Sequence, residues 1–119
     1  MQQTTVEHEI THALGFNPSL FVIYQDENLN TRGISNVVTN PAYQTKYEVI
    51  TPKVVEMAKL HFDCDSLRGL ELEESGGQGS VGSHWEQTSM GNDLMTARVS
   101  PHMMLSNITL GLLEDSGWY

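Results

Sequence analysis

The sequence contains few basic residues. Among its 119 residues there are 6 Lys and Arg against 15 Asp and Glu, which gives a net charge of −9 at neutral pH. Binding to the phosphates of nucleic acid requires clustered basic side chains, so this composition argues against a nucleic-acid partner. The acidic side chains are scattered along the chain, as is typical of solvated faces and helix ends.

Cysteine and long apolar segments are also scarce. The single cysteine, Cys64, cannot form a disulfide bond within this sequence, so it is either a free thiol or pairs with a cysteine outside these residues. No segment is long and apolar enough to cross a bilayer, and the first residues lack the charged and apolar regions of a signal peptide. We therefore expect neither a membrane helix nor a signal peptide in this sequence.

The patterns of regular structure are mainly helical. Residues 20–24 and 49–50 are compatible with short strands, but no succession of alternating segments predicts a larger sheet. Helices are predicted at about residues 4–14, 52–62 and 106–116, separated by long irregular loops rich in Asn, Gly, Ser and Thr. The fold class is therefore predicted to be mainly α with long irregular loops.

The first predicted helix has its own start, stop and apolar signals. Thr4 or Thr5 can cap its start, and Gly15 can end it in a left-handed conformation. Its apolar face consists of Val6, Ile10, Ala13 and Leu14.

This helix carries the most informative motif of the chain. The segment HEITH places His8 and His12 four residues apart, with Glu9 between them. Positions four apart on a helix lie about 40° from each other around the axis, so the two imidazoles can bind one ion. Neutral imidazole suits zinc, which keeps a position for a water whose pKa it lowers to about 7. Glu9 is placed to take a proton from that water, so the motif predicts zinc-dependent peptide hydrolysis without a covalent intermediate.

The third metal ligand must come from a distant part of the chain. In the compact form of such a zinc site, the third ligand is a His at the third position after the glycine. Here that position is Pro18, which has no donor atom for a metal. His84 is the favoured candidate because it ends the glycine-rich loop 75–83, whose backbone can carry a side chain to a site formed elsewhere. Trp85 and Glu86 follow it and are candidates to orient its imidazole.

Other third ligands stay open from the residues alone. His61 lies in the helix predicted at residues 52–62, where a packed or hydrogen-bonded histidine is the more common role. His102 follows a proline in a turn, and an acidic residue such as Glu48 or Glu56 would complete a different type of zinc site.

Three segments together resemble one protease family. These are HEITHALGF at residues 8–16, GSHWE around His84, and NDLMT at residues 92–96. They resemble leishmanolysin, the surface metalloprotease family of the metzincin clan, and the similarity continues through residues 61–64, 70–73 and 109–119. The resemblance implies that His8, His12 and His84 bind Zn²⁺ and that Glu9 is the general base. It also implies that Met95 forms a methionine turn under the metal without ligating it.

The resemblance also implies a domain organisation. Residues 1–119 are expected to be a partial peptidase domain, the lower, C-terminal part of a metzincin zincin-like catalytic domain. It would contain an active-site helix at about 4–14, an insertion at 16–83, a third-ligand loop and methionine turn at 84–96, and a C-terminal helix at about 106–116. The upper sheet subdomain, whose edge strand pairs with an extended substrate, is expected to be absent. Residues 99–101 would border the pocket for the substrate residue after the scissile bond.

The function implied by the resemblance is that of a zinc metalloendopeptidase. Its partner would be a protein or peptide substrate, and its location would be extracellular or at the cell surface. Membrane association would occur through parts of the protein outside this chain, and the resemblance leaves open whether these residues are active by themselves. The alternative is a non-catalytic adhesion or scaffold module stabilised by zinc, although structural zinc sites usually have four protein ligands and need no base such as Glu9.

Overall fold

The structure, a computed structural model, describes residues 3–40, 46–74, 82–98 and 100–119. The helices in these ranges are α1 (Gln3–Leu14), α2 (Pro18–Phe21), α3 (Pro52–Phe62), α4 (Gln87–Met90) and α5 (Asn107–Asp115), with a 3-10 turn at Ile34–Asn36. The strands are β1 (Val38–Thr39), β2 (Glu48–Val49) and β3 (Leu70–Glu71). Among the helices of these ranges, none has the length and hydropathy required to cross a membrane.

The three strands form a small antiparallel sheet in the order β1-β2-β3. Val38 lies opposite Val49, which in turn lies opposite Leu70. This sheet is not predictable from the residue pattern, because strands of two residues are too short to show an alternation. The strand predicted at residues 20–24 is wrong. The chain forms α2 there because the Asn17 side chain accepts the backbone N–H of Ser19 and Pro18 occupies the first turn.

Helix α1 lies within a residue of its predicted bounds, but both of its ends differ from the prediction. Its bounds are Gln3–Leu14, so Thr4 and Thr5 are positions within the helix and not the residue before it. Gly15 does not have a positive φ angle. A Cβ atom at Gly15 would lie 3.1 Å from Leu113 Cδ2, so the lack of a side chain at this position allows Leu113 to pack closely against it.

The apolar stripe of α1 is directed toward solvent. Val6, Ile10 and Leu14 are 41%, 51% and 37% exposed. The helix is joined to the rest of the described chain by its opposite face and by its C-terminal end, where the hydroxyl groups of Tyr24 and Tyr119 donate to the carbonyls of Gly15 and Leu14. Burial, and secondarily the negative charge of Asp115, raise the pKa of Tyr24, so its hydroxyl remains a donor.

The hydrophobic core lies between the helices and the loop that carries the third predicted ligand. Helices α3 and α5 pack against each other, and β3 also contacts α3. The largest buried side chains include Trp85, Phe16 and Met95. The full set of buried apolar residues in the described ranges is Phe16, Phe21, Tyr24, Val37, Val49, Val54, Ala58, Leu70, Leu72, Trp85, Met90, Leu94, Met95, Ile108 and Leu112.

Helix α5 has the caps that its sequence predicts. The Ser106 side chain accepts the backbone N–H of Thr109 at 3.2 Å. Gly117, just beyond the helix, has a φ of 83°, and a Cβ atom there would lie 2.5 Å from the carbonyl oxygen of Gln25. Glycine is therefore required at this position both for its conformation and for space.

Helix α3 is capped by a residue that is distant in sequence. Thr51 occupies the N-cap position, but its side chain makes no capping hydrogen bond. The carboxylate of Asp115, at the end of α5, accepts the backbone N–H groups of Lys53 and Val54 at 2.9 and 3.0 Å. Asp115 is 5% exposed, so these charge-assisted bonds are shielded from water and join the two helices.

Replacing Asp115 with Asn is expected to loosen the first turn of α3. Asp115 Oδ2 accepts both N–H groups, and Oδ1 also lies 3.1 Å from the Lys53 nitrogen. An amide that keeps its oxygen at the Oδ2 position loses the negative charge and directs an NH₂ group at the Lys53 N–H. The expected cost is about 1–3 kcal/mol in the free energy of opening of this turn. Amide hydrogen exchange at Lys53 and Val54 measures it, with Glu114→Gln as the matched exposed control. Exchange rates equal to those of the control would show that Asp115 does not stabilise α3.

The single cysteine lies just after α3. Cys64 is partly exposed and is not paired with another cysteine in the described ranges. Its Sγ lies 3.3 Å from the hydroxyl oxygen of Ser66, and hydrogen bonding with Ser66 lowers the pKa of the thiol. Both predictions for Cys64, a free thiol and a partner outside these residues, stay predictions.

Candidate metal centre

Three of the five histidines converge on one point. The Nε2 atoms of His8 and His12 are 3.1 Å apart, and His84 Nε2 lies 3.1 Å from the first and 3.3 Å from the second. Helix α1 presents His8 and His12 on one face, as the spacing of four predicts. His84 comes from the loop before α4 and is buried, whereas the two helical histidines are partly exposed. The described chain therefore brings together the three residues that were singled out as metal ligands.

Backbone carbonyls set the orientation of the two helical imidazoles. His8 Nδ1 lies 2.6 Å from the carbonyl oxygen of Leu94, and His12 Nδ1 lies 2.7 Å from that of Phe16. A carbonyl oxygen can only accept, so each Nδ1 carries a hydrogen and donates it. In the neutral imidazoles the lone pairs are then on the Nε2 atoms, which point at one another. His84 Nδ1 lies 3.1 Å from the hydroxyl oxygen of Ser83.

This arrangement fits a tetrahedral cation. Ligand atoms about 2.0–2.1 Å from a zinc ion are separated by about 3.3 Å when the angles are tetrahedral. The three Nε2 separations of 3.1–3.3 Å are close to this value. Lone pairs brought this close repel one another unless a cation or proton lies between them. Three imidazole nitrogens also form the donor set that zinc prefers and leave a fourth position for a non-protein ligand.

The glutamate of the motif lies at the edge of the cluster. Glu9 is exposed and lines a cavity of about 230 Å³ together with His8 and His84. Thr96, Ala97 and Met103 also line this cavity. A carboxylate and two candidate ligands therefore share one solvent-accessible space, which is what a general base beside a metal requires.

The methionine-containing turn, residues 93–96, contacts the histidine cluster at His8. Met95 is fully buried, and its backbone N–H donates to Asp93 Oδ1 at 2.7 Å. The backbone N–H and the hydroxyl of Thr96 both donate to the carbonyl of Asp93, at 3.1 and 3.0 Å. This tight turn directs the Leu94 carbonyl at His8.

The residues that follow His84 hold its loop in different ways. The backbone N–H of Trp85 donates to the Met95 carbonyl at 2.9 Å, and its ring lies edge-to-face on Phe16, with centroids 4.8 Å apart. Trp85 thus connects the loop of His84 to the methionine-containing turn and to the segment that follows α1. The Glu86 carboxylate instead caps α4 by accepting the backbone N–H of Thr88. The prediction that Glu86 orients His84 has no support in these contacts.

The alternative third ligands lie outside the cluster. His61 and His102 are exposed, and neither belongs to the group of three converging histidines. Glu56 forms an ion pair with Lys53 at 3.1 Å, and Glu48 lies in β2, where burial and the nearby Glu71 raise its pKa. Within the described ranges, His84 is the one residue that joins the two helical histidines.

Some predicted features lie outside the described residues. These are the glycine-rich segment 75–81 before His84 and Val99, which was expected to border the substrate pocket. Of the other residues expected there, Ser100 is partly exposed and Pro101 is exposed. The cavity beside Glu9 is lined by Thr96, Ala97 and Met103.

Sequence reasoning missed three residues of the site. These are Phe16 and Leu94, which act through their carbonyls, and Asp93, which holds the turn through its side chain. Every residue has a carbonyl, so no pattern of side chains could have identified the first two. An Asp two residues before the Met of the expected turn was a readable signal, because a short acidic side chain often accepts the N–H two residues on.

Comparisons with known proteins agree with the geometry. The family model described as leishmanolysin matches residues 1–119. A leishmanolysin-like peptidase of Drosophila pseudoobscura pseudoobscura is 36% identical over 147 residues, which cover 98% of this chain and 22% of that protein. A leishmanolysin homolog of Crithidia fasciculata is 38% identical over 118 residues, covering 96% of this chain and 16% of that protein.

A third relative belongs to a vertebrate. The ciliated left-right organizer metallopeptidase of Mus musculus is 37% identical over 123 residues, which cover 94% of this chain and 17% of that protein. The chain thus spans about a fifth of the length of the curated relatives that it matches.

Proposed function

This chain belongs to the leishmanolysin family, and on that premise we propose that it supplies the metal ligands and the general base of a zinc metalloendopeptidase. His8, His12 and His84 would bind Zn²⁺, and Glu9 would be the catalytic base. The observation that carries this proposal is the convergence of three Nε2 atoms within 3.1–3.3 Å. Carbonyl acceptors on two of the Nδ1 atoms leave the lone pairs directed inward, as metal binding requires.

The side chains around the cavity suit peptide hydrolysis. A bound zinc ion supplies Lewis acidity and lowers the pKa of a coordinated water to about 7. Glu9 shares the cavity with His8 and His84, so its carboxylate is placed to accept a proton from water as oxygen adds to the peptide carbonyl carbon. The same carboxylic acid then donates that proton to the nitrogen as the C–N bond breaks. The products are a carboxylic acid and an amine, which become a carboxylate and an ammonium group when the acid proton passes to the amine.

The substrate would occupy the cavity beside Glu9. Its lining also includes Thr96, Ala97 and Met103, of which Met103 is partly buried against the core. This mixed lining is compatible with a protein or peptide segment and sets no strong charge preference. We propose the same substrate class for the intact protein, with action outside the cell or at its surface as the family resemblance implies.

The alternative of a zinc-stabilised adhesion or scaffold module is less well supported. A structural zinc site normally has four protein ligands and a closed shell. The described ranges provide three converging ligand atoms and no fourth His, Cys, Asp or Glu among them. An exposed carboxylate beside the three histidines has a role in hydrolysis and none in a closed structural site.

Metal removal tests the proposed function directly. The intact protein is expected to contain one zinc ion per chain at this site and to lose peptidase activity when a chelator removes it. Added zinc should restore activity and, at 100 times its Kd, stabilise the fold by about 2.7 kcal/mol. Metal analysis, cleavage of an unstructured protein substrate and thermal unfolding with and without zinc measure these effects. Full peptidase activity in metal-free protein would refute the mechanism.

A further inference from the structure

A buried carboxylate joins the methionine-containing turn to helix α5. Asp93 is 3% exposed. Its Oδ1 accepts the backbone N–H of Met95 at 2.7 Å and lies 3.0 Å from the Thr109 hydroxyl. Its Oδ2 accepts the backbone N–H of Ser106 at 3.2 Å and also lies 3.2 Å from Thr109 Oγ1. The Asp93 carboxylate thus accepts three donors, which are the backbone N–H groups of Met95 and Ser106 and the hydroxyl of Thr109.

The direction of these hydrogen bonds is determined by chemistry. An ionised carboxylate only accepts, so the single hydroxyl hydrogen of Thr109 points to Asp93. The oxygen of that hydroxyl is then free to accept, and the indole Nε1 of Trp85 donates to it at 2.9 Å. Asp93, Thr109 and Trp85 form a continuous buried chain of hydrogen bonds with one possible polarity.

The two ends of this chain lie beside different metal ligands. Leu94, next to Asp93, accepts His8 Nδ1 at its carbonyl. Trp85 follows His84 directly, and its backbone N–H donates to the Met95 carbonyl. The network therefore joins the turn whose Leu94 carbonyl orients His8 to the loop that carries His84. Backbone and side-chain hydrogen bonds both connect this turn and this loop.

On the basis of the proposed function, we propose that Asp93 and Thr109 are positioning residues that hold His84 at the right distance from His8 for zinc binding. Neither residue is one of the three candidate ligands, and neither lines the cavity that contains Glu9. Their effect passes through the Leu94 carbonyl on one side and through Trp85 on the other. A shift of either loop separates the Nε2 atoms, and zinc affinity depends steeply on those separations.

A carboxylate is required because all of its partners are donors. In Asp93→Asn, the amide would direct an NH₂ group at the N–H of Ser106 or Met95 or at the Thr109 hydroxyl. If Thr109 rotates to accept from the amide, its oxygen is less available to the Trp85 indole. Thr109→Val keeps the shape of the side chain and removes its hydrogen bonds with Asp93, with the Trp85 indole and with Ser106 Oγ, whereas Thr109→Ser keeps the hydroxyl.

The test measures zinc binding in the intact protein. Zinc Kd, obtained by competition with a chromophoric chelator, is expected to rise about 10–100-fold in Thr109→Val and in Asp93→Asn. The visible absorption bands of the cobalt-substituted protein should shift in both variants, since they report ligand geometry. Thr109→Ser should recover the wild-type Kd and spectrum. If Asp93→Asn fails to fold, Thr109→Val carries the test alone.

Asp115→Asn is the matched control. It also alters a buried carboxylate that accepts two backbone N–H groups, but its partners are in α3. It should lower thermal stability by a similar amount while leaving zinc Kd within about threefold and the cobalt spectrum unchanged. If Thr109→Val behaves like this control, the network is merely structural and the inference is overturned. If the wild-type protein binds no zinc, the proposed function itself fails, so the two failures are distinguishable.

Discussion

Replacing Glu9 with Gln is expected to lower kcat/KM for peptide cleavage by about 10²–10⁴-fold, the range typical of a general base. Glutamine has nearly the same shape but cannot accept the proton from water or return it to the leaving amine. Because Glu9 is exposed, the fold should be retained. Zinc content should be unchanged, since the three imidazoles that would bind the metal are unaltered. Steady-state kinetics and metal analysis of the same preparation measure both effects.

Glu7→Gln is the matched control for this prediction. Glu7 is also exposed and lies on the same helix two positions earlier, and it does not line the cavity beside the histidines. The same change of charge there should leave kcat/KM within about threefold. If Glu9→Gln retained wild-type activity while binding zinc, another group would have to be the base, and the assigned role of Glu9 would be wrong.

Replacing His84 with Ala is expected to produce the largest loss of metal. In this variant, the two imidazoles of α1 would be the only protein ligands left for zinc. The third Nε2 atom, which lies 3.1 and 3.3 Å from the other two, would be missing. Loss of a direct ligand should exceed the 10–100-fold effect of removing an outer hydrogen-bonding partner, so zinc Kd should rise more than about 100-fold. Peptidase activity should fall in parallel, and equilibrium dialysis with zinc provides the measurement.

The two remaining histidines are controls for this loss. His61 is exposed on α3 and His102 is exposed before Met103, both outside the converging group. His61→Ala and His102→Ala should each leave zinc stoichiometry at the site and Kd unchanged. Retention of zinc in His84→Ala, with loss in a variant of Glu48 or Glu56, would instead support a carboxylate as the third ligand.

Helix α1 and helix α5 were predictable because their signals are local. His8 and His12 share one face of α1 because a helix has 3.6 residues per turn. Ser106 and Gly117 mark the two ends of α5 because their residue types suit helix caps. The N-terminal end of α3 was not predictable in the same way. Thr51 is a good cap by its residue type, but the cap is provided by Asp115, 62 residues from Lys53 along the chain. Tertiary contact overrode the local preference.

The third ligand shows the limit of a sequence reading. From the residues alone, the glycine-rich loop and Pro18 indicated that His84 could reach the site but left other ligands open, which were His61, His102, Glu48 and Glu56. The family resemblance then implied His84. The fold separates these candidates because Trp85 packs on Phe16 and pairs with Met95, which brings His84 to α1. Packing of this kind depends on segments about 70 residues apart, so no local pattern encodes it.

The sequence by itself determined the chemistry of the site, which is two imidazoles and a carboxylate on one helix. The reason is that helical geometry converts a spacing of four residues directly into a shared face. The sequence also showed the resemblance to the family. The tertiary structure brought His84, the third ligand that the resemblance implied, to the other two histidines. Only the tertiary structure decided which carbonyls orient the imidazoles and that Asp93 ties the turn to α5. Those features depend on backbone groups, which are the same in every residue and acquire a role only when the fold places them.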